Sequence, residues 1–137
     1  MHEYALAEGI ISTAIKAAIN GNLKRITEVK IKIGELQQID SEVFTFVIKE
    51  IIKNENPIIK DARIVIEQEK AVLKCSVCES AWNFSEINNR LNRNELESIH
   101  FVPEVSHTFI RCPRCKSPDF KVVCGNRGWV DSVEGEE

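Results

Sequence analysis

The 137-residue chain has no apolar run near the length needed to cross a bilayer, and no basic-apolar leader at its start. It also lacks a surplus of positive charge: 18 Lys and Arg stand against 21 Asp and Glu, for a net charge of −3. Phosphate binding leaves a basic footprint, so neither nucleic acid nor a membrane is an expected partner. No glycine-rich phosphate loop or nucleophile elbow is present, and Gly34-Glu35-Leu36 reads as a turn. No set of nucleophile, general base and oxyanion donors can be assembled, so the chain is not expected to be an enzyme. Internal repeats and low-complexity tracts are absent. These absences describe a soluble, cytoplasmic protein that works by binding.

Hydrophobic residues make up 43% of the chain, enough to bury one ordinary core or two small ones. Of its five cysteines, four form two pairs, Cys75-Ser-Val-Cys78 and Cys112-Pro-Arg-Cys115. Each pair places two thiolates on a tight turn, and two such turns facing each other make a closed tetrahedral site, with zinc expected ahead of iron. Pro113 stiffens the second turn through its fixed φ. One pair alone would suit a redox dithiol; two pairs argue for metal. Cys124, the odd cysteine, reads as a partly buried thiol, with a fifth ligand as the alternative. A plain zinc ribbon has roughly 15–20 residues between its pairs. Here the interval runs from Glu79 to Arg111 and is long enough for a function of its own.

Hydrophobic periodicity places a helix at the start, with Tyr4, Ala7, Ile10, Ile11, Ala14, Ile15, Ala18 and Ile19 on one face and Gly21 as its stop. Val29, Ile31 and Ile33 alternate with lysines in a strand that ends at Gly34. Asp40 or Ser41 caps a second helix, whose apolar stripe is Val43, Phe44, Val47, Ile48 and Ile51. Ile64 and Ile66 belong to another strand, and Ala71-Val72-Leu73 leads into the first cysteine pair. The run Gly128 to Val133 is a candidate third strand, and Glu134-Gly135-Glu136-Glu137 reads as a solvated acidic end. Within the interval, Glu86 to Ser98 is weakly amphipathic; Trp82 with Phe84, Thr108 to Arg111, and Phe120 to Val123 read as short strands. The fold class is therefore α+β. A small N-terminal domain at 1–72 has two helices on a roughly three-stranded sheet, with 126–137 returning to it. A four-cysteine zinc-ribbon-like domain follows at 73–125, carrying the insertion 79–111.

Met1-His2-Glu3 can make a chelator from backbone nitrogens. A histidine in second place offers its ring Nδ1, its own backbone nitrogen and the adjacent terminal amine, and square-planar nitrogen sites favour Ni(II) or Cu(II). The first amides of a helix have no intrahelical partner and stay free for a ligand. The plain alternative is a frayed start with a solvated histidine.

Met1-His2-Glu3, Leu6 in the first helix, Gly34-Glu35-Leu36 after the strand, Phe44 and Phe46 in the second helix, and Cys75, Cys78, Cys112 and Cys115 together resemble the HypA hydrogenase maturation family, over essentially the whole chain. The long interval between cysteine pairs is similar to the archaeal members. The resemblance implies an N-terminal nickel-binding domain, structural zinc on four thiolates, and transferred nickel delivered during [NiFe] hydrogenase maturation. It also implies the GTPase HypB and the hydrogenase large subunit as partners. The terminal chelate supplies about three nitrogens, and a square-planar ion takes four. His100 and His107 are the other histidines. His100 is favoured as the fourth ligand because Pro103 would stiffen the segment presenting it, whereas His107 is expected to be occupied by packing or a backbone hydrogen bond. The competing function is a zinc-ribbon module that binds nucleic acid or protein and has no nickel role.

Overall fold

The computed structural model describes residues 3–37, 39–87, 90–102 and 106–137. Met1, His2, Gln38, Asn88, Asn89 and 103–105 lie outside the described residues, as does the side chain of His100. The chain divides into two compact units: Met1–Lys32 with Ile39–Glu67 and Gly128–Glu137, and Ile33–Gln38 with Gln68–Arg127. Residues 33–38, which periodicity leaves with the first half, thus group with the cysteine-bearing unit.

In the first unit, α1 spans Glu3–Asn20 and α2 spans Ser41–Lys53. The helices pack on each other beside a sheet of order β2-β1-β6, with β1 at Arg25–Gly34, β2 at Arg63–Glu69 and β6 at Gly128–Glu136. Ala7, Ile10, Ile11, Ala14 and Ala18 of α1 are buried, as are Phe44, Ile48, Ile51 and Ile52 of α2. Each large member of such a core contributes about 1.5–3 kcal/mol on burial. The ends of the expected α1 stripe, Tyr4 and Ile19, are exposed instead, and Val43 of the α2 stripe is exposed too. A short helix face meets only as much core as its neighbours cover.

The helix ends are set by local hydrogen bonds. Asp40 caps α2, its Oδ1 accepting from the amides of Glu42 at 2.9 Å and Val43 at 3.2 Å. After α1, the amide of Leu23 donates to Ala18 O at 2.9 Å and that of Asn22 to Ile19 O at 3.1 Å. This is the Schellman pattern, and the residue with positive φ is Asn22 rather than Gly21. The acidic end is not merely solvated. β6 runs to Glu136, whose carbonyl accepts from the Lys24 amide at 2.7 Å while its carboxylate meets Arg25 at 2.8 Å. That exposed ion pair is worth little by itself; the strand pairing holds the tail.

In the second unit, β3 (Val72–Cys75) pairs antiparallel with β4 (Ala81–Asn83) and with β5 (Phe120–Cys124). Leu73 faces Trp82 on one side and Val122 on the other, and Cys75 faces Phe120. The insertion is helical: α3 spans Arg93–Phe101 and α4 spans Ser106–Phe109. Asn92 and Glu95 form a reciprocal capping box at the start of α3, with bonds of 2.8 and 2.9 Å. The expected strand at Thr108 to Arg111 is therefore wrong: Ile110 N donates to Ser106 O at 2.8 Å, a helical bond. Alternation over four residues cannot be told from one helical turn. Phe84 likewise begins a 3-10 turn, Phe84–Glu86, instead of extending β4. Leu36, Leu73, Trp82, Phe84, Ile99, Ile110 and Phe120 share the core of this unit.

Three chain segments of the second unit meet at Gly34 and Gly125. Gly34 N donates to Arg127 O at 2.6 Å and Leu36 N to Gly125 O at 2.9 Å. The Glu69 carboxylate accepts from Gly125 N at 2.7 Å, and the Glu35 carboxylate from Ala71 N at 2.9 Å. Gly125 has φ 88°, and a Cβ there would run into the backbone of Ala71. Gly125→Ala combines a left-handed backbone penalty with overpacking. It is expected to cost about 2–4 kcal/mol in urea denaturation; an unchanged midpoint would contradict this junction.

Candidate metal centre

The two cysteine turns are built alike. In the first, Glu79 N donates to Cys75 O at 3.2 Å and Cys75 N to Ser80 O at 2.8 Å. In the second, Lys116 N donates to Cys112 O and Cys112 N to Ser117 O, both at 2.9 Å. Glu79 and Lys116, each following the second cysteine of its pair, have φ of 63° and 65°. That left-handed residue turns the chain so that the next amide, of Ser80 or Ser117, points at the second sulfur of its pair, while earlier amides of each turn point at the first. Val77 N and Cys78 N lie 3.3 and 3.4 Å from Cys75 Sγ, and Cys115 N lies 3.4 Å from Cys112 Sγ. β3 leads into the first turn and β5 leaves the second, and the Ser76 amide ties the turns together through Asp119 O at 2.9 Å.

The four sulfurs converge. All lie within 4.8 Å of one another, with Cys75 to Cys115 at 3.5 Å and Cys78 to Cys112 at 3.6 Å. A tetrahedron with metal–sulfur bonds of about 2.3 Å has edges of about 3.8 Å. The donor set therefore fits one four-coordinate soft-ligand metal with no position left for water. Cys75 and Cys112 are buried while Cys115 is exposed, so one edge of the cluster faces solvent.

The thiols themselves show why a cation belongs there. The Ser80 hydroxyl, 3.3 Å from Cys78 Sγ, and the Ser80 amide favour the thiolate and lower its pKa to about 6. Backbone donation from Cys115 and Arg114 lowers that of Cys112. Cys115 goes the other way: the Ser117 amide favours its thiolate, but contact with Cys75, partial loss of hydration beside the cluster and the other two sulfurs push it up to about 12. Amides and a hydroxyl stabilise negative sulfur, yet four negative sulfurs at this spacing repel one another. A divalent cation at the centre resolves that conflict.

The sequence reading did not find Ser80, Ser117, Glu79 or Lys116. A signal was available, because both turns read Cys-x-x-Cys, a charged residue, then Ser. Cys124 stands apart from the cluster, its thiol 3.5 Å from Lys70 O. His107 is also elsewhere engaged: Nδ1 lies 3.0 Å from Pro118 O, and the ring stacks on Phe120 at 4.2 Å between centroids. It sits on α4, not on a strand. Glu3 opens α1, and its Oε2 is buried with no hydrogen-bond partner among the described residues. Met1, His2 and the His100 side chain lie outside those residues. No described helix is long and apolar enough to cross a membrane.

Fold and site define a small α+β metalloprotein with a four-cysteine centre. The family model described as "Hydrogenase/urease nickel incorporation, metallochaperone, hypA" matches residues 1–135. The hydrogenase maturation factor HypA of Pyrococcus horikoshii is 39% identical over 137 residues, covering 100% of this chain and 97% of its own. That of Pyrococcus furiosus is 38% identical over 141 residues and covers both chains fully, at 100% each. The solution structure of the Ni metallochaperone HypA from Helicobacter pylori superposes with a TM-score of 0.65 at 22% identity, covering 99% of this chain and 98% of that one. The chain belongs to the HypA family of nickel-incorporation metallochaperones and hydrogenase maturation factors.

Removing one sulfur opens the centre. In Cys112→Ala, tight metal binding is expected to be lost and the region from Cys75 to Cys124 to lose order, while the N-terminal helices persist. Metal analysis with residue-resolved hydrogen exchange checks this; full metal content and unchanged protection would refute the four-cysteine assignment.

Proposed function

We propose that this protein binds Ni(II) reversibly at Met1, His2 and Glu3 and delivers it during [NiFe] hydrogenase maturation, with zinc as the structural ion on Cys75, Cys78, Cys112 and Cys115. The observation that carries the reading is the family match across the chain, together with Met1 and His2 standing directly before α1, which opens at Glu3. The chemistry supports it. The first amides of α1 have no intrahelical acceptors, and a Met1 amine, the His2 backbone nitrogen and His2 Nδ1 make a nitrogen-rich set suited to square-planar nickel. Burying an unpaired carboxylate oxygen is costly, and a cation beside Glu3 would offset that cost for its Oε2.

His100 is our fourth ligand. His107 is the weaker choice because its Nδ1 already faces Pro118 O. Four thiolates match zinc by donor type and closed geometry. A reducing cytoplasm keeps such thiols available, and we assign the protein there. By family membership we name the GTPase HypB and the hydrogenase large subunit as partners, and a carrier without catalytic chemistry as the role. The alternative, a zinc-ribbon module without nickel, gains no support from the net charge of −3.

The test uses untagged protein. Wild type is expected to hold one tight zinc and one exchangeable nickel with a low-spin, square-planar spectrum. His2→Ala, or a residue added before Met1, is expected to abolish nickel uptake with zinc unchanged. His100→Ala should weaken nickel roughly 5- to 150-fold, the usual range of coupling between sites, and His107→Ala should do little. Undiminished nickel affinity after both changes at the start of the chain would overturn the proposal.

A further inference from the structure

The metal chemistry leaves the outer face of α2 unused. Val43, Phe46, Lys49 and Lys53 follow at spacings of three, three and four, which puts them on one side of the helix. The buried residues Phe44, Ile48, Ile51 and Ile52 face the core. Phe46 is 64% exposed and Val43 41%. Beside this face runs β2, an outer strand of its sheet, with Ile64 and Ile66 only half-buried.

Two adjoining cavities, of about 560 and 630 Å³, lie between α2 and β2 and share Thr45, Lys49 and Ile64. The smaller reaches Phe46 and Ile66. The larger has Ile48, Ile52 and Ile64 on its wall, and Lys49, Lys53, Lys60 and Arg63 around it against a single acid, Asp61. One of those cations, Lys53, is partly neutralised by Glu50 at 3.0 Å. With Glu42 on the wall of the smaller cavity, the groove sets four cations against two acids, a local reversal of sign in a chain whose net charge is −3. An exposed phenylalanine beside an outer strand is an association hazard unless something covers it.

We propose that the α2–β2 groove is a docking site for an acidic, extended segment of a partner protein, which adds to the outer edge of β2. Main-chain pairing on an edge strand supplies register-independent affinity, and alternate side chains supply selectivity. In such a segment, one set of side chains is apolar and packs against Phe46, Ile64 and Ile66. Carboxylates meet the rim of Lys49, Lys53, Lys60 and Arg63. The rim steers encounter and rejects basic segments, so binding weakens with added salt.

A random decapeptide display library panned on the full, metal-loaded chain provides the probe. Enriched peptides are expected to combine Asp or Glu with alternating apolar residues, and to slow hydrogen exchange of amides in 63–69. Lys49→Glu/Lys53→Glu should reduce affinity for the synthesised peptides at least tenfold, and Phe46→Ser should also weaken it. Circular dichroism and metal content serve as the controls for folding. Enrichment of neutral or basic peptides, equal binding by the charge-reversed variant, or protection confined to other elements would overturn the proposal. So would tighter binding of a single-stranded oligonucleotide than of the acidic peptides. A self-associated form dispersed by these same substitutions would make a second copy the occupant and refute a partner segment.

Discussion

Convergence of four sulfurs within 4.8 Å of one another is the constraint around which the second unit is arranged, and it fits one shared cation. Among its described residues the regular structure is slight: three short strands, two helices and two 3-10 turns. Sequence-distant turns at 75–78 and 112–115 must meet, and closing so long a loop carries an entropy cost. Metal coordination offsets that cost because its free energy enters the folding equilibrium directly. Around the sulfurs, Cys75 and Cys112 are themselves buried with Leu73, Trp82 and Phe120. Coordination and hydrophobic burial thus stabilise the same small region, and neither is independent of the other.

The first unit rests on ordinary packing. Small residues on α1, chiefly Ala7, Ala14 and Ala18, are fully buried, and the helix packs against α2 and β6. With this scaffold supplied by hydrophobic burial, the metal ligands proposed at its start need not contribute to stability. That separation suits a carrier. A structural site must be closed and slow to exchange, whereas a cargo site must release its ion, and the proposed assignment gives the two different donors: thiolate sulfur for one, nitrogen for the other.

Much of the architecture was legible because the elements carry clear periods. Val29, Ile31 and Ile33 do alternate into the core as their spacing requires, and Asp40 does cap α2. The insertion was less legible: Thr108 to Arg111 look strand-like in isolation, but Ser106 to Ile110 close a helical turn. Burial patterns there follow contacts with distant Leu36 and Phe120, which no local window contains. The ion pair and strand pairing that hold Glu136 were hidden for the same reason, since Arg25 lies at the far end of the chain.

Cysteine type and spacing by themselves determined that four thiolates are available on two turns, because sulfur chemistry is local and a Cys-x-x-Cys turn can form in few ways. Only tertiary structure decided that the sulfurs converge within 4.8 Å, that Ser80 favours one thiolate, and that Glu79 and Lys116 take left-handed conformations to aim amides at sulfur. It also decided that Val43, on the expected stripe of α2, is surface while Ile52, off that stripe, is core. The physical reason is that ligand type is a property of each residue, whereas distance, charge repulsion and burial belong to residues that folding brings together from far apart in the chain.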